Sequence, residues 1–161
     1  MAISPMISRG CGPFQPAAAD DQHKSDDQLK VEETADMQQP TMTLTAAVLD
    51  APNAAELAAF YRRLLGWTIR QDEPGWVALR APGGGAGLSF QTEAAYVRPT
   101  WPAGPGDQQM MMHLDIEVDD LEAAGAHAVA AGAVLADYQP QDDVRVYLDP
   151  AGHPFDLWIR T

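Results

Sequence analysis

His113, Asp115, Asp156 and Gln91 are the side chains whose types and placement in this 161-residue chain could do chemistry. An imidazole titrates near neutral pH, so it can donate or accept a proton, and it is also a common metal ligand. A carboxylate beside it can orient the ring and favour its charged form. A glutamine amide offers both a donor and an acceptor without charge. Strand alternation gives these groups common faces. In HLDIEV (113–118), Leu114, Ile116 and Val118 share one face, and His113, Asp115 and Glu117 share the other. Near the end of the chain Phe155, Leu157 and Ile159 oppose Asp156 and Trp158, and in GLSFQ (87–91) Leu88 and Phe90 oppose Ser89 and Gln91. With the apolar faces under helices, His113, Asp156 and Gln91 are compatible with one polar-lined cavity. Trp76, Trp101 and Trp158 could supply apolar walls for an aromatic or amphipathic ligand, and core or interface packing fits them equally well.

Other reactive types have plainer readings. His153 follows Gly152 in the tight turn DPAGHP (149–154), where a structural role is expected. His127 belongs on the outer side of a helix, and Met110–Met112 read as the entry to a strand. Asp119, Asp120 and Glu122 place negative charge where a helix N-terminus favours it. The glycine run 83–85 lacks the Lys-Ser/Thr and the following helix of a phosphate loop. Cys11 is the only cysteine, which excludes an intrachain disulfide and a cysteine-rich metal site.

Two similar sets of elements must position these residues. Thr43–Leu49 reads as a strand. Asn53 can cap a helix to Leu65, where Leu57, Phe60, Tyr61, Leu64 and Leu65 form one apolar stripe and Gly66 stops it. Strands follow around Trp67–Gln71, Trp76–Ala81 and Gly87–Gln91. After a Pro/Gly-rich linker (98–109) the order repeats. A strand spans Met111–Val118, and a helix capped by Asp119 or Asp120 runs to Ala131 and ends at Gly132. Strands at Val134–Tyr138, Val144–Leu148 and Phe155–Arg160 complete it. Each half, of about 50 residues, is too small to bury a stable core alone, so the halves should pack as a pair.

Composition sets the boundary and the exclusions. Residues 1–41 hold seven acids and three bases with no sustained apolar period, which reads as a disordered acidic leader, and Met37 or Met42 could mark a later start. Both lysines fall in this leader, while the folded part uses seven arginines. The expected domain is 42–161, with module one at 42–97, the linker at 98–109 and module two at 110–161. A net charge of −13 without Lys/Arg patches argues against nucleic acid and anionic lipid. No apolar run approaches the roughly 20 residues of a membrane helix, and the N-terminus lacks a signal-peptide core, so a cytoplasmic location is expected.

Three stretches carry a family resemblance. VLDAPNAAELAAFYRRLLGW (48–67), HLDIEVDDLEAAGAHAVAAGA (113–133) and VYLDPAGHPFDLW (146–158) resemble, in order and spacing, the vicinal oxygen chelate superfamily of glyoxalase-like, bleomycin-resistance and extradiol dioxygenase domains. LSFQ (88–91) followed by RPTWP (98–102) resembles its glyoxalase-like members. The resemblance implies an α+β fold of two βαβββ modules, with curled mixed sheets around a shared cleft. It also implies a small-molecule ligand, a homodimer, and in metal-dependent members a divalent cation such as Zn, Ni, Mn or Fe. The family's four ligand positions fall at Ala46, at or near Gln91, at His113 and at Asp156. Ala46 cannot coordinate a metal, so a lactoylglutathione lyase assignment is set aside. The expected function is a small-molecule enzyme of lyase, isomerase or dioxygenase type, using His113 and Asp156 as ligands or as an acid/base pair. Gln91, Asp115, Trp101 and Trp158 are further ligand contacts. The alternative is a metal-free, bleomycin-resistance-like binding protein.

Overall fold

A computed structural model describes residues 40–160. The leader expected over 1–41 lies outside the described residues except for Pro40 and Thr41. The first half comprises β1 (Ala46–Ala51), α1 (Ala54–Leu65), β2 (Thr68–Glu73), β3 (Trp76–Arg80) and β4 (Gly87–Thr92). The second comprises β5 (Leu114–Glu117), α2 (Leu121–Ala131), β6 (Val134–Leu135), β7 (Val144–Leu148) and β8 (Pro154–Trp158). Each half is one four-stranded mixed sheet, in the orders β1-β4-β3-β2 and β5-β8-β7-β6. The first strand of each runs parallel to the last, and the other pairs are antiparallel. This is the expected pair of βαβββ modules, with sheets that do not close into a barrel.

Both helices form where their caps place them. The Asn53 side chain accepts from the Ala55 and Glu56 N–H groups, and Asp120, rather than Asp119, does the same for Glu122 and Ala123. Each cap satisfies donors that a helix start leaves unpaired. Gly66 (φ 68°) and Gly132 (φ 116°) end the helices in the left-handed region. The α1 stripe points inward: Leu57, Phe60 and Tyr61 are buried, with Leu64 and Leu65 half-buried. Tyr61 stacks on Phe90 at 5.4 Å between centroids, Phe60 packs on Phe155 at 5.9 Å, and Tyr147 stacks on Phe155 at 5.8 Å. One aromatic cluster therefore joins the halves. In α2, Gly125 leaves room for the Tyr147 hydroxyl, which a Cβ at that position would strike.

Several strands differ from their sequence-based limits for local reasons. β1 begins at Ala46 because its partner β4 begins at Gly87, whose N–H is already bonded to the Thr45 carbonyl. β5 begins at Leu114, opposite Phe155, so Met111–His113 precede the strand. β6 is cut to two residues. Beyond it the Gln139 side chain takes the place of a strand, donating to the Ala136 and Val146 carbonyls and accepting from the Val146 N–H.

Candidate functional site

The registers of the two sheets align the halves residue by residue. In the first, Ala46 meets Gly87, 41 positions later; in the second, Leu114 meets Phe155, again 41 positions later. The helix caps Asn53 and Asp120 lie 67 positions apart. With that offset, His113 corresponds to Ala46 and Asp156 to Ser89, while Gln91 corresponds to Trp158. His113 and Asp156 therefore both lie on the second half, with alanine and serine at the matching positions of the first. Ala46, Ser89 and Ala78 give the matching face of the first sheet small side chains, with Ser89 paired to Val48 and Ala78.

On the second sheet Asp115 and Asp156 are directly paired on adjacent parallel strands, and His113 immediately precedes β5 on the same face. His113 Nε2 lies 3.3 Å from Asp115 Oδ1 and 3.8 Å from Asp156 Oδ2. One ligand atom from each residue falls within 4.8 Å of the others, and these three form the metal-competent His/Asp group among the described residues. The strand alternation that joins His113 with Asp115 and Asp156 was legible in the sequence. The register then sets Asp156 directly beside Asp115. Asp156 is the most shielded of the three, at 22% side-chain exposure against 41% for His113 and 65% for Asp115. Burial pushes the Asp156 carboxyl upward, His113 pulls it back, and Asp115 adds to the rise.

Two carboxylates and an imidazole fit a divalent cation by donor chemistry, since carboxylate suits Mn and imidazole suits Zn, Fe or Ni. Three protein donors also leave coordination positions for water or a ligand. Gln91 is exposed near the end of β4, between Asp50 of β1 and Trp76 of β3. Trp158 shares its strand face with Asp156, two residues away. Trp101 packs against Tyr138 at 6.4 Å, and its buried indole N–H has no partner.

His113 also lines a cavity of about 410 Å³ between β1 and the segment entering β5. That volume lies in the range of about 300–1,000 Å³ usual for small-molecule sites. Val48, Val97, Pro99 and Met110–Met112 contribute apolar wall; neither Trp101 nor Trp158 lines it. Tyr96 and His153 line it as well. His153 keeps its turn position but also joins a network that sequence reasoning missed. Its Nδ1–H donates to Asp149 at 2.8 Å, and its Nε2 lies 3.1 Å from the Tyr96 hydroxyl. Tyr61 also donates to the fully buried Asp149 carboxylate, as do the N–H groups of Gly152 and His153. The Asp149-to-His153 spacing within DPAGH was the available signal. His127 is exposed, as expected, with Nε2 donating to the Leu64 carbonyl and so tying α2 to the end of α1.

Residues 46–158 match the family model described as a glyoxalase-like domain. Solved structures share the fold at low identity. One is a glyoxalase/bleomycin resistance protein/dioxygenase family enzyme from Burkholderia phytofirmans PsJN, 19% identical over 73% of this chain and 98% of that one, with a TM-score of 0.56. Another is the oxidase ChaP-H2, 18% identical over 76% and 96%, with a TM-score of 0.54. A lactoylglutathione lyase from Agrobacterium tumefaciens is 18% identical over 75% and 96%, with a TM-score of 0.51. No curated protein matches the sequence. No helix among the described residues is long and apolar enough to cross a membrane.

Proposed function

The chain belongs to the glyoxalase-like domain family, within the vicinal oxygen chelate superfamily, and from that premise we propose that it is a small-molecule enzyme whose reactive centre is His113 with Asp115 and Asp156. The observation that carries this reading is the convergence of these three groups within 4.8 Å, with His113 also lining a ligand-sized cavity. Lyase, isomerase and dioxygenase chemistries are all compatible with it. His113, Asp115 and Asp156 would hold a divalent cation, which when bound supplies Lewis-acid polarisation of a ligand oxygen. The chain's own contribution is positional. The paired strands fix the two carboxylates side by side, and the half-buried Asp156 orients the imidazole from the more shielded side. His113, the group nearest the cavity, is placed to exchange a proton with a bound molecule.

Elemental analysis of protein purified without chelator tests the metal assignment. The expected result is one equivalent of Zn, Ni, Mn or Fe that is lost in His113→Ala. Metal retained by that variant would remove the assignment.

A second reading, metal-free binding without catalysis, is favoured by one observation: alanine and serine, Ala46 and Ser89, stand in the first half at the positions that match His113 and Asp156. Metal-free wild-type protein that still binds small aromatic molecules, seen by tryptophan quenching, would select it. We read the protein as a cytoplasmic homodimer. Val48 is 47% exposed on the face of β1 that lines the cavity, and a second copy could cover it. Sedimentation at a monomer's mass across micromolar concentrations would rule the dimer out.

A further inference from the structure

The polar groups that line the cavity besides His113 bear on what kind of molecule fits there. Tyr96 has one hydroxyl hydrogen and two protein acceptors in reach, the Ala151 carbonyl at 3.1 Å and His153 Nε2 at 3.1 Å. His153 is held in place because its Nδ1–H is bonded to Asp149, which is itself buried and engaged by Tyr61 and two backbone N–H groups. Whichever acceptor the phenol chooses, its hydrogen is directed into the protein. If Nε2 instead carries a proton, it donates to the Tyr96 oxygen and the phenol hydrogen goes to Ala151. In each arrangement Tyr96 can offer a ligand only an acceptor lone pair. The phenol also stays protonated, because burial first, and then the charges of Asp149 and Asp50, hold it near 12 against the opposing pull of Arg98.

The remaining charged side chains lining the cavity, histidines aside, are Asp50 and Glu93, and no Lys or Arg lines it. One Glu93 oxygen accepts from the Ala95 N–H. Arg98 reaches away, donating to the Pro150 carbonyl. Tyr96, Asp50 and Glu93 therefore present acceptors to a ligand whose body would meet Val48, Val97 and the methionines.

We propose that this cavity binds a small apolar amine, with its protonated nitrogen donating to the Tyr96 oxygen and to the carboxylate of Asp50. The proposal rests on the reading of the cavity as the ligand site, but not on a metal or on catalysis at His113. It disfavours anionic ligands such as carboxylates.

Titration calorimetry at neutral pH with phenethylamine and with phenylacetate, a cation and an anion of similar size, provides the test. The amine should bind, with phenylacetate at least about tenfold weaker, as expected for losing one charge-assisted hydrogen bond. Tyr96→Phe and Asp50→Asn should each weaken the amine by about the same factor, with folding checked by circular dichroism. Equal or tighter binding of phenylacetate would overturn the proposal, as would no measurable amine binding or an affinity indifferent to both substitutions. Metal content measured on the same samples reports separately on the His113 centre, so the two readings can fail independently.

Discussion

Asp149 shows how a buried charge can be both structural and close to a site. Its two oxygens accept four hydrogen bonds, from Tyr61, the His153 ring and the Gly152 and His153 N–H groups, so little of its acceptor capacity is left unmet. The same network holds two phenols in their protonated form. Burial and Asp149 raise Tyr61 well above its ordinary value, and they raise Tyr96 from 10.0 to about 12. The folded state therefore keeps a proton that the unfolded chain releases from about pH 10. By linkage that contribution to stability is complete below pH 10 and is lost as the pH rises toward 12. Urea denaturation at about pH 9 and about pH 11 should show a smaller loss for Tyr96→Phe than for the wild type. Equal losses would mean that Tyr96 does not contribute. In the sequence Tyr96 gave no such signal, since it lies in an irregular segment and meets His153 across 57 residues.

At the scale of elements, the helices were the most legible parts because their determinants are local. Asn53, Gly66 and Gly132 act where the sequence places them, and the Leu57–Phe60–Tyr61 stripe is buried as its spacing requires. Strand limits were less legible because pairing sets them. The start of β5 depends on its partner β8, and the end of β6 on a glutamine side chain that supplants it. Gly125 is another case: a mid-helix glycine reads as a weakness until Tyr147 is seen against it. Gly125→Ala raises helix propensity by up to about 1 kcal/mol, yet the added methyl meets the phenol. A net destabilisation of about 1–3 kcal/mol is expected from overpacking. Adding Tyr147→Phe should restore part of it in denaturant unfolding. A stabilised Gly125→Ala single variant would show that the ring moves aside without strain.

At the scale of the molecule, two halves with the same order and the same registers have diverged in chemistry. The shared 41-residue pairing distance makes the correspondence checkable. It puts alanine and serine on one half where the other carries histidine and aspartate. The departure at Ala46 was visible in the sequence. That Ser89, rather than Gln91, is the counterpart of Asp156 needed the register. Asp115, two residues from His113 on the same face, supplies a third donor from the same half. On the proposed function, this asymmetry assigns the reactive centre to the second sheet, where His113 meets the cavity.

Paramagnetic titration tests that claim most directly. The chain has four histidines, whose ring protons can be resolved by NMR and assigned with His113→Ala. Substoichiometric Mn(II) added to the protein should broaden the resonance of His113 first and most strongly, with His153, which lines the same cavity, broadened less. Broadening centred on another histidine, or none at His113 up to equimolar Mn(II), would contradict a metal centre built from His113, Asp115 and Asp156.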